Sequence, residues 1–289
     1  MKVLSLALFL VSFQIFASEA LTTNSMDDVF AKVAEKSQIY GRENVLVVFD
    51  IDNTILTAVN DLGSDQWYSW QEQVMKDPGC LPVCVSTNMD ELIKAQGLLF
   101  NLGKMKPTEA SLPKKLKELQ AAGTKVILLT SRGPDFRSLT ETSLRENAMS
   151  FEDSTLNRSI DQTSTYLPYD ISNLSASGLT DGDASLASLG QARTVSFQNG
   201  IYMTAGQNKG VMLKVLLNRY RLNYKAVIFA DDHVRHVTRM QAIMGHLSDV
   251  TTYRYAGMDP EVERFNRMDK TEVIEQWSKL QKTIKEIGF

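Results

Sequence analysis

Three apolar runs in this chain each end in polar or acidic residues: VLVVFDID at 45–52, VILLTSR at 126–132 and VIFADD at 227–232. Stretches with helical spacing of apolar residues separate them, such as SLPKKLKELQAAG at 111–123 and NKGVMLKVLLNRY at 208–220. Strands that alternate with helices predict a mainly parallel sheet covered on both faces. The sequence therefore predicts an α/β fold, whose ligand crevice lies beyond the carboxyl ends of the strands.

Four acidic side chains are expected to converge on that edge of the sheet: Asp50, Asp52, Asp231 and Asp232. Two carboxylates about 5 Å apart repel by roughly 3 kcal/mol at an effective dielectric of about 20. The set therefore needs either protons or a bound cation. Because hard divalent ions prefer oxygen ligands, we predict that these four residues bind Mg²⁺.

The same strand ends carry groups suited to phosphoryl transfer. Asp50, directly after its strand, is the expected nucleophile, since a carboxylate can form an aspartyl phosphate. Asp52 is expected to protonate the leaving alkoxide and later to deprotonate the attacking water. Phosphoryl oxygens need donors, which Thr130 or its neighbour Ser131 would supply together with Lys209 at the start of a helix.

Four short segments stand in order along the chain: FDIDNT at 49–54, LLTSR at 128–132, NKG at 208–210 and FADD at 229–232. They resemble, in their usual order, the motifs of the haloacid dehalogenase (HAD) superfamily. The resemblance spans the chain from 45 to 232, and it implies a HAD-type Rossmann-like three-layer core, a cap over the site, bound magnesium and a nucleophile at Asp50. Phosphatase members carry an acid where Asp52 stands. The N-terminus and the inserted segments resemble uncharacterised exported HAD-like proteins of host-associated bacteria.

The last of these segments departs from a common pattern of the superfamily. Arg235 stands where many members have a later aspartate, and the adjacent Asp231 and Asp232 resemble a variant with two neighbouring acids. This resemblance makes Asp231 the expected direct metal ligand and leaves the role of Asp232 open.

The chain divides into a core and two insertions. The helical patterns at 57–107 predict a cap, and the polar segment at 150–204 is too long for a simple connection. This segment includes Asn199-Gly200 between strand-like runs, which predicts a β-hairpin. The predicted organisation is a signal peptide at 1–20, a HAD-like core at 21–56, 108–149 and 205–289, a helical cap insertion at 57–107 and a second α+β insertion at 150–204.

The N-terminal segment predicts export. Residues 1–20 combine one lysine, an apolar run shorter than a membrane span and small residues suited to cleavage after Ala17 or Ala20. We expect a periplasmic or secreted protein without a stable membrane anchor after cleavage. In an oxidising compartment Cys80 and Cys84 either form a local disulfide or remain two thiols, and the sequence leaves this open.

The expected activity is magnesium-dependent hydrolysis of a phosphate monoester. A net charge of −3, from 31 basic and 34 acidic residues, argues against nucleic acid as a partner. The expected substrate is therefore a phosphorylated small molecule or protein. Two alternatives remain: transfer of the phosphoryl group to an alcohol, and an exported binding or effector protein that recognises a host partner through the 150–204 segment.

Several polar and aromatic residues near the motifs have simpler interpretations. Arg132 either orients an acid or phosphate group or lies at the surface. His233 and His236 are interpreted as a polar helix start, because imidazoles suit softer metals than magnesium. Trp67 is expected to pack within the cap, and Thr54 to hold its loop by hydrogen bonding.

Overall fold

A computed structural model of the protein describes residues 18–156 and 165–286. Most of the predicted signal peptide lies outside the described residues. The strands are β1 (Glu19–Thr23), β2 (Val45–Phe49), β3 (Leu56–Ala58), β4 (Met105–Pro107), β5 (Lys125–Thr130), β6 (Ser196–Gln198), β7 (Ile201–Met203), β8 (Ala226–Asp231) and β9 (Asp249–Tyr255). The helices are α1 (Met26–Tyr40), α2 (Asp65–Val74), α3 (Met89–Leu102), α4 (Leu112–Ala121), α5 (Arg137–Glu146), α6 (Asp181–Ala187), α7 (Lys209–Tyr220), α8 (Val234–Met244), α9 (Asp259–Arg267) and α10 (Thr271–Glu286). Within these ranges, each helix falls short of the length or the apolarity that crossing a membrane would require.

The central sheet has seven strands in the order β1-β9-β8-β2-β5-β7-β6. Every neighbouring pair is parallel except β6 and β7, which are antiparallel. This arrangement, with helices on both faces, confirms the predicted α/β fold with a Rossmann-like three-layer core. The middle strand, β2, is buried along its whole length.

Two apolar clusters cover the two faces of the sheet. Alternate residues of β2 point to opposite faces, as expected for a strand. Leu46 and Val48 pack in the cluster that contains α7 and α8, whereas Val45, Val47 and Phe49 pack in the cluster that contains α1 and α4. A strand with layers on both sides has no polar face, which explains the uninterrupted VLVVF.

The segment between β3 and β4 forms a helical insertion. These short strands pair antiparallel, with Ala58 opposite Met105, so the chain leaves and re-enters the core at one place. Between them lie α2 and α3, joined through a loop in which Cys80 and Cys84 form a disulfide. The Gln71 side chain holds this loop to α2 by donating to the carbonyl of Val83 and accepting from the N–H of Val85.

The helical insertion packs against the C-terminal helices. Trp67 of α2 is buried and its ring lies 6.4 Å from that of Trp277 in α10. Trp70 meets Phe265 of α9 edge to face at 6.2 Å. Trp67 therefore has the predicted packing role, but its partners come from the end of the chain as well as from the insertion.

The predicted β-hairpin is present at β6 and β7, with Asn199 and Gly200 both at positive φ in the turn. Its position differs from the expected separate insertion. Leu128 of β5 pairs in parallel with Ile201, so the hairpin extends the central sheet. Phe197 and Tyr202 join the core cluster on the α7 side, and Ile201 and Met203 join the cluster on the α1 side. The end of the 150–204 segment is therefore structurally part of the core.

The first described strand overlaps the predicted signal peptide. Glu19 and Ala20 pair with Thr251 and Thr252 of β9. The N-terminal residues of the described chain thus add a parallel edge strand to the sheet, whereas the predicted boundary at 20 would divide that strand.

Candidate active site

A tight turn after β2 presents the first two acids. The N–H of Asp50 still donates to the carbonyl of Ala230 in β8, at 2.9 Å, so this residue is held at the end of the strand. The carbonyl of Ile51 then accepts from the N–H groups of Thr54 and Ile55. Asn53 lies at φ 52°, the left-handed conformation that asparagine tolerates better than most residues. The DIDNT sequence therefore encodes the turn as well as the two carboxylates.

Lys209 joins the two strand ends. Its Nζ lies 2.6 Å from Oδ1 of Asp50 and 2.6 Å from Oδ2 of Asp231, and the side chain is fully buried. Lys209 is the first residue of α7, and the Asn208 side chain caps that helix by accepting from the N–H of Val211. The NKG segment thus places the ammonium group of Lys209, at the start of α7, between Asp50 and Asp231.

Asp231 has partners for both carboxylate oxygens. Oδ1 accepts from the N–H of His233 at 2.9 Å, and Nδ1 of His236 lies 3.1 Å from Oδ1 and 3.0 Å from Oδ2. Oδ2 of Asp231 also accepts from Nζ of Lys209. Asp231 therefore serves first to position Lys209 and His236, and it has less free capacity for a metal than the superfamily resemblance implies.

Asp232 is in the opposite situation. In the part of the chain that the structure describes, its Oδ1 is buried without a hydrogen-bond partner. Its main chain is fixed, because the N–H donates to Oγ1 of Thr54 at 3.0 Å and the carbonyl accepts from Nε of Arg254 at 2.9 Å. Thr54 thus has its predicted hydrogen-bonding role. A buried carboxylate oxygen without a donor is costly unless a proton or cation occupies its free side.

One compact oxygen set at this edge fits a metal. Oxygen atoms of Asp50, Asp231 and Asp232 all lie within 4.8 Å of one another. Three carboxylates match the oxygen preference of magnesium. Asp52 belongs to none of the sets of this kind that the described residues form. This differs from the prediction that the Asp52 carboxylate binds the metal.

Asp52 is instead paired with Arg132. Nε and Nη2 of Arg132 donate to the two carboxylate oxygens at 2.9 and 2.7 Å. Arg132 is only 7% exposed, so the interpretation as a surface residue is wrong. Its contacts agree with the other interpretation, that it orients an acid. The reason is topological: β5 adjoins β2 in the sheet, so the residue two positions beyond its end reaches the turn after β2.

Thr130 and Ser131 lie where β5 ends. Thr130 is 1% exposed, and its Oγ1 accepts from the N–H of Arg132, so its own hydroxyl proton can donate elsewhere. Its carbonyl accepts from the N–H and the hydroxyl of Thr204. The carbonyl of Ser131 accepts from the N–H of Gly206. These bonds fix the loop that would carry the phosphate donors.

The acids differ in protonation because their surroundings differ. Burial raises the pKa of Asp50 to about 7, and burial with the neighbouring acid Asp65 raises the pKa of Asp232 well above its usual range. Burial acts in the same direction on Asp231, but Lys209 and His236 hold the pKa of Asp231 below its usual range. Without a metal, Asp50 and Asp232 are therefore the acids that take up protons.

The two histidines after the acids contribute more than a polar helix start. Burial lowers the pKa of His236, whose ring lies against Asp231. His233 faces Asp65 of α2, with 3.7 Å between Nε2 and Oδ2, and this neighbouring carboxylate raises the pKa of His233 to about 9. Asp65, Asp232 and His233 also form a compact ligand-bearing group. The three-residue spacing of the histidines in DDHVRH, which puts one ring beside Asp231 and the other beside Asp232, is the signal that could have indicated this.

A family model for proteins of unknown function, DUF2608, matches residues 22–287. The chain belongs to the DUF2608 family. The match includes the strand ends, the helical insertion and the hairpin, so the candidate site lies wholly within the DUF2608 region. No curated protein and no solved structure matches the chain.

Proposed function

We propose that this DUF2608 protein is a magnesium-dependent phosphatase that hydrolyses a phosphate monoester through an aspartyl phosphate. The observation that carries the proposal is the oxygen set of Asp50, Asp231 and Asp232, in which Lys209 pairs with the buried Asp50 and Asp231, beside an Asp52 carboxylate that Arg132 holds separately. A nucleophile, a proton donor and a cation site in one place are the components of this reaction.

The charges of the site support a divalent cation. Asp50, Asp231 and Asp232 carry three negative charges when ionised, and Lys209 carries one positive charge, which leaves two negative charges. His236, whose pKa is lowered by burial, adds none at neutral pH, and His233, whose pKa is raised, is paired with the further acid Asp65. Asp50 and Asp232 would hold the ion, with Asp231 beside them. Bound magnesium would neutralise charge on the phosphoryl oxygens.

In the first step, a carboxylate oxygen of Asp50 attacks phosphorus. The bond between phosphorus and the leaving oxygen breaks, and its electron pair remains on that oxygen. Asp52, which must enter this step protonated, gives that proton to the leaving oxygen, so an alcohol departs and Asp50 carries the phosphoryl group. Lys209, which contacts Asp50 directly, favours the ionised nucleophile.

In the second step, Asp52 removes a proton from a water molecule. The water oxygen attacks phosphorus, the bond from phosphorus to Asp50 breaks, and inorganic phosphate leaves. Asp52 is then protonated again and Asp50 is again a carboxylate. Thr130 and the start of α7, with Lys209, supply donors for the phosphoryl oxygens in both steps.

The test is a panel of phosphate monoesters assayed with and without magnesium. We expect release of inorganic phosphate by the wild type, loss of activity on chelation and no turnover by Asp50→Asn. The matched control is Asp181→Asn, which makes the same chemical change at an exposed position in α6. Hydrolysis by Asp50→Asn at the wild-type rate would exclude the mechanism. Phosphorylated alcohol in place of free phosphate would favour the transferase alternative.

We also propose that the protein is exported, periplasmic or secreted. The apolar segment before Ala17 and the Cys80–Cys84 disulfide support this, because disulfides persist in oxidising compartments. Cleavage after Ala17 would keep all of β1, whereas cleavage after Ala20 would remove its first two residues. Sequencing the N-terminus of the exported protein should therefore give Ser18, and full-length protein confined to the cytoplasm would contradict export.

A further inference from the structure

The strongest unassigned feature is the environment of Arg132. Two donors of its guanidinium bind Asp52, and Nη1 donates to Oγ1 of Thr140 in α5 at 3.0 Å. Its Nη2 also lies 3.2 Å from Sδ of Met105 in β4. The guanidinium is therefore fixed by three elements of the structure, and its planar fork matches the Asp52 carboxylate in two places.

The helical insertion supplies the remaining contact. The guanidinium carbon of Arg132 lies 4.3 Å from the ring centre of Phe100 in α3, a cation–π arrangement. Phe100 in turn meets Phe136 edge to face at 5.7 Å. The place of Phe136 depends on Gly97, since a Cβ there would lie 3.1 Å from its ring. A continuous chain of contacts therefore runs from α3 to Asp52.

We infer that Arg132 is a positioning residue that sets the orientation of Asp52 for proton transfer to the leaving group, and that Phe100 makes this orientation depend on the helical insertion. The inference rests on the proposed phosphatase function. Arg132 acts through Asp52, so its loss should affect the reaction only where the proton from Asp52 is needed.

Two substrates separate this role from general damage. An alkyl phosphate releases a poor leaving group that needs the proton, whereas p-nitrophenyl phosphate releases a stable anion that departs without one. The quantity to compare is kcat/KM, because it covers the steps up to departure of the leaving group and excludes hydrolysis of the intermediate. A structural defect would lower both values equally.

The variant is Arg132→Lys, which keeps the charge and removes the fork. We expect a drop in kcat/KM of about 10-fold or more on the alkyl phosphate and a much smaller drop on p-nitrophenyl phosphate. In an Asp52→Asn background the same substitution should cause little further loss, because residues that act as one unit are not additive. Phe100→Leu should give a smaller loss, about 3-fold, with the same substrate preference.

The matched control is Arg219→Lys, since the guanidinium of Arg219 lies 4.2 Å from the ring centre of Tyr166 on another part of the molecule. This variant should leave the ratio of kcat/KM on the alkyl phosphate to kcat/KM on p-nitrophenyl phosphate unchanged. Equal losses on the two esters in Arg132→Lys, or additive losses with Asp52→Asn, would overturn the positioning role. If Arg132→Lys fails to fold, the substrate preference of Phe100→Leu decides the question. A wild type that hydrolyses neither ester would instead overturn the phosphatase proposal itself.

Discussion

Lys209 and Asp231 form a fully buried ion pair, with 2.6 Å between Nζ and Oδ2 and no solvent exposure of either side chain. Lys209 contacts Asp50 at the same distance, so one cation balances two buried acids. Lys209→Met should lower the free energy of unfolding by about 3 kcal/mol in metal-free buffer, because it leaves buried carboxylates without their counter-charge. Urea denaturation in the presence of a chelator measures this.

Two further variants test the electrostatic reason for that loss. Adding Asp50→Asn to Lys209→Met should recover part of the lost stability, since it removes one of the uncompensated acids. Lys114→Met, on the exposed face of α4, is the control and should leave the unfolding free energy nearly unchanged. A double variant no more stable than Lys209→Met would indicate that lost packing, and not charge, causes the effect.

The adjacent acids Asp231 and Asp232 should respond differently to the same substitution. Asp231→Asn disturbs the bonds to Lys209 and His236 and should lower the metal-free unfolding free energy by about 2 kcal/mol. Asp232→Asn removes a carboxylate whose Oδ1 has no partner within the described ranges, so metal-free stability should stay constant or rise.

Calorimetric titration with Mg²⁺ completes this comparison. Asp232→Asn should weaken magnesium binding at least about 10-fold, because it removes the carboxylate with the freest oxygen. Unchanged affinity in Asp232→Asn, together with lost affinity in an Asp231→Asn variant that is still folded, would show that Asp231 is the main ligand after all.

Gly210 allows α7 and α8 to approach closely. A Cβ at this position would lie 2.6 Å from the carbonyl oxygen of Arg239 and 3.0 Å from Cβ of Ile243. Gly210→Ala should therefore lower the unfolding free energy by about 1–3 kcal/mol, since α8 must move away. Gly190→Ala is the matched control, because no atom would lie within 4 Å of the added methyl group. Thermal unfolding of both variants provides the measurement, and equal melting temperatures would contradict the close-packing explanation.

The strand ends were predictable because their signal is local. VLVVF is apolar at every position, as a central strand between two helix layers must be, and the acids follow it directly. The parallel sheet then brings Asp50 and Asp231 to one edge without further information. The NKG segment was also readable, since a helix start marks the position of Lys209.

The errors concern contacts made between distant segments. For Arg132 the sequence left an orienting role and a surface role open, because its pattern carries no sign of Asp52, 80 residues away. In the same way, the hairpin was recognised from Asn199-Gly200, but its pairing with β5 depends on edge-strand geometry that no local pattern records. Trp67 was likewise expected to pack within the cap, but no local pattern indicates Trp277 as its neighbour.

Asp183 connects the 165–195 region to α7 and should contribute to the acid sensitivity of the fold. Its Oδ2 accepts from the N–H of Thr180 and from Nζ of Lys214, both at 2.7 Å. Burial alone would raise the pKa of Asp183, but these bonds lower it below its usual range. The stabilisation is therefore fully present above the unfolded pKa of about 4 and is lost as the pH falls through the lower folded pKa.

Asp183→Asn should accordingly flatten the acid side of the stability curve. Between about pH 5 and about pH 3, the wild type should lose more unfolding free energy than this variant, because only the wild type has the carboxylate to protonate. Asp181→Asn, two residues earlier and exposed, should keep the wild-type slope. Denaturant titrations at several pH values give the three slopes. If Asp183→Asn and Asp181→Asn had equal slopes, the pair with Lys214 would not contribute to the acid sensitivity.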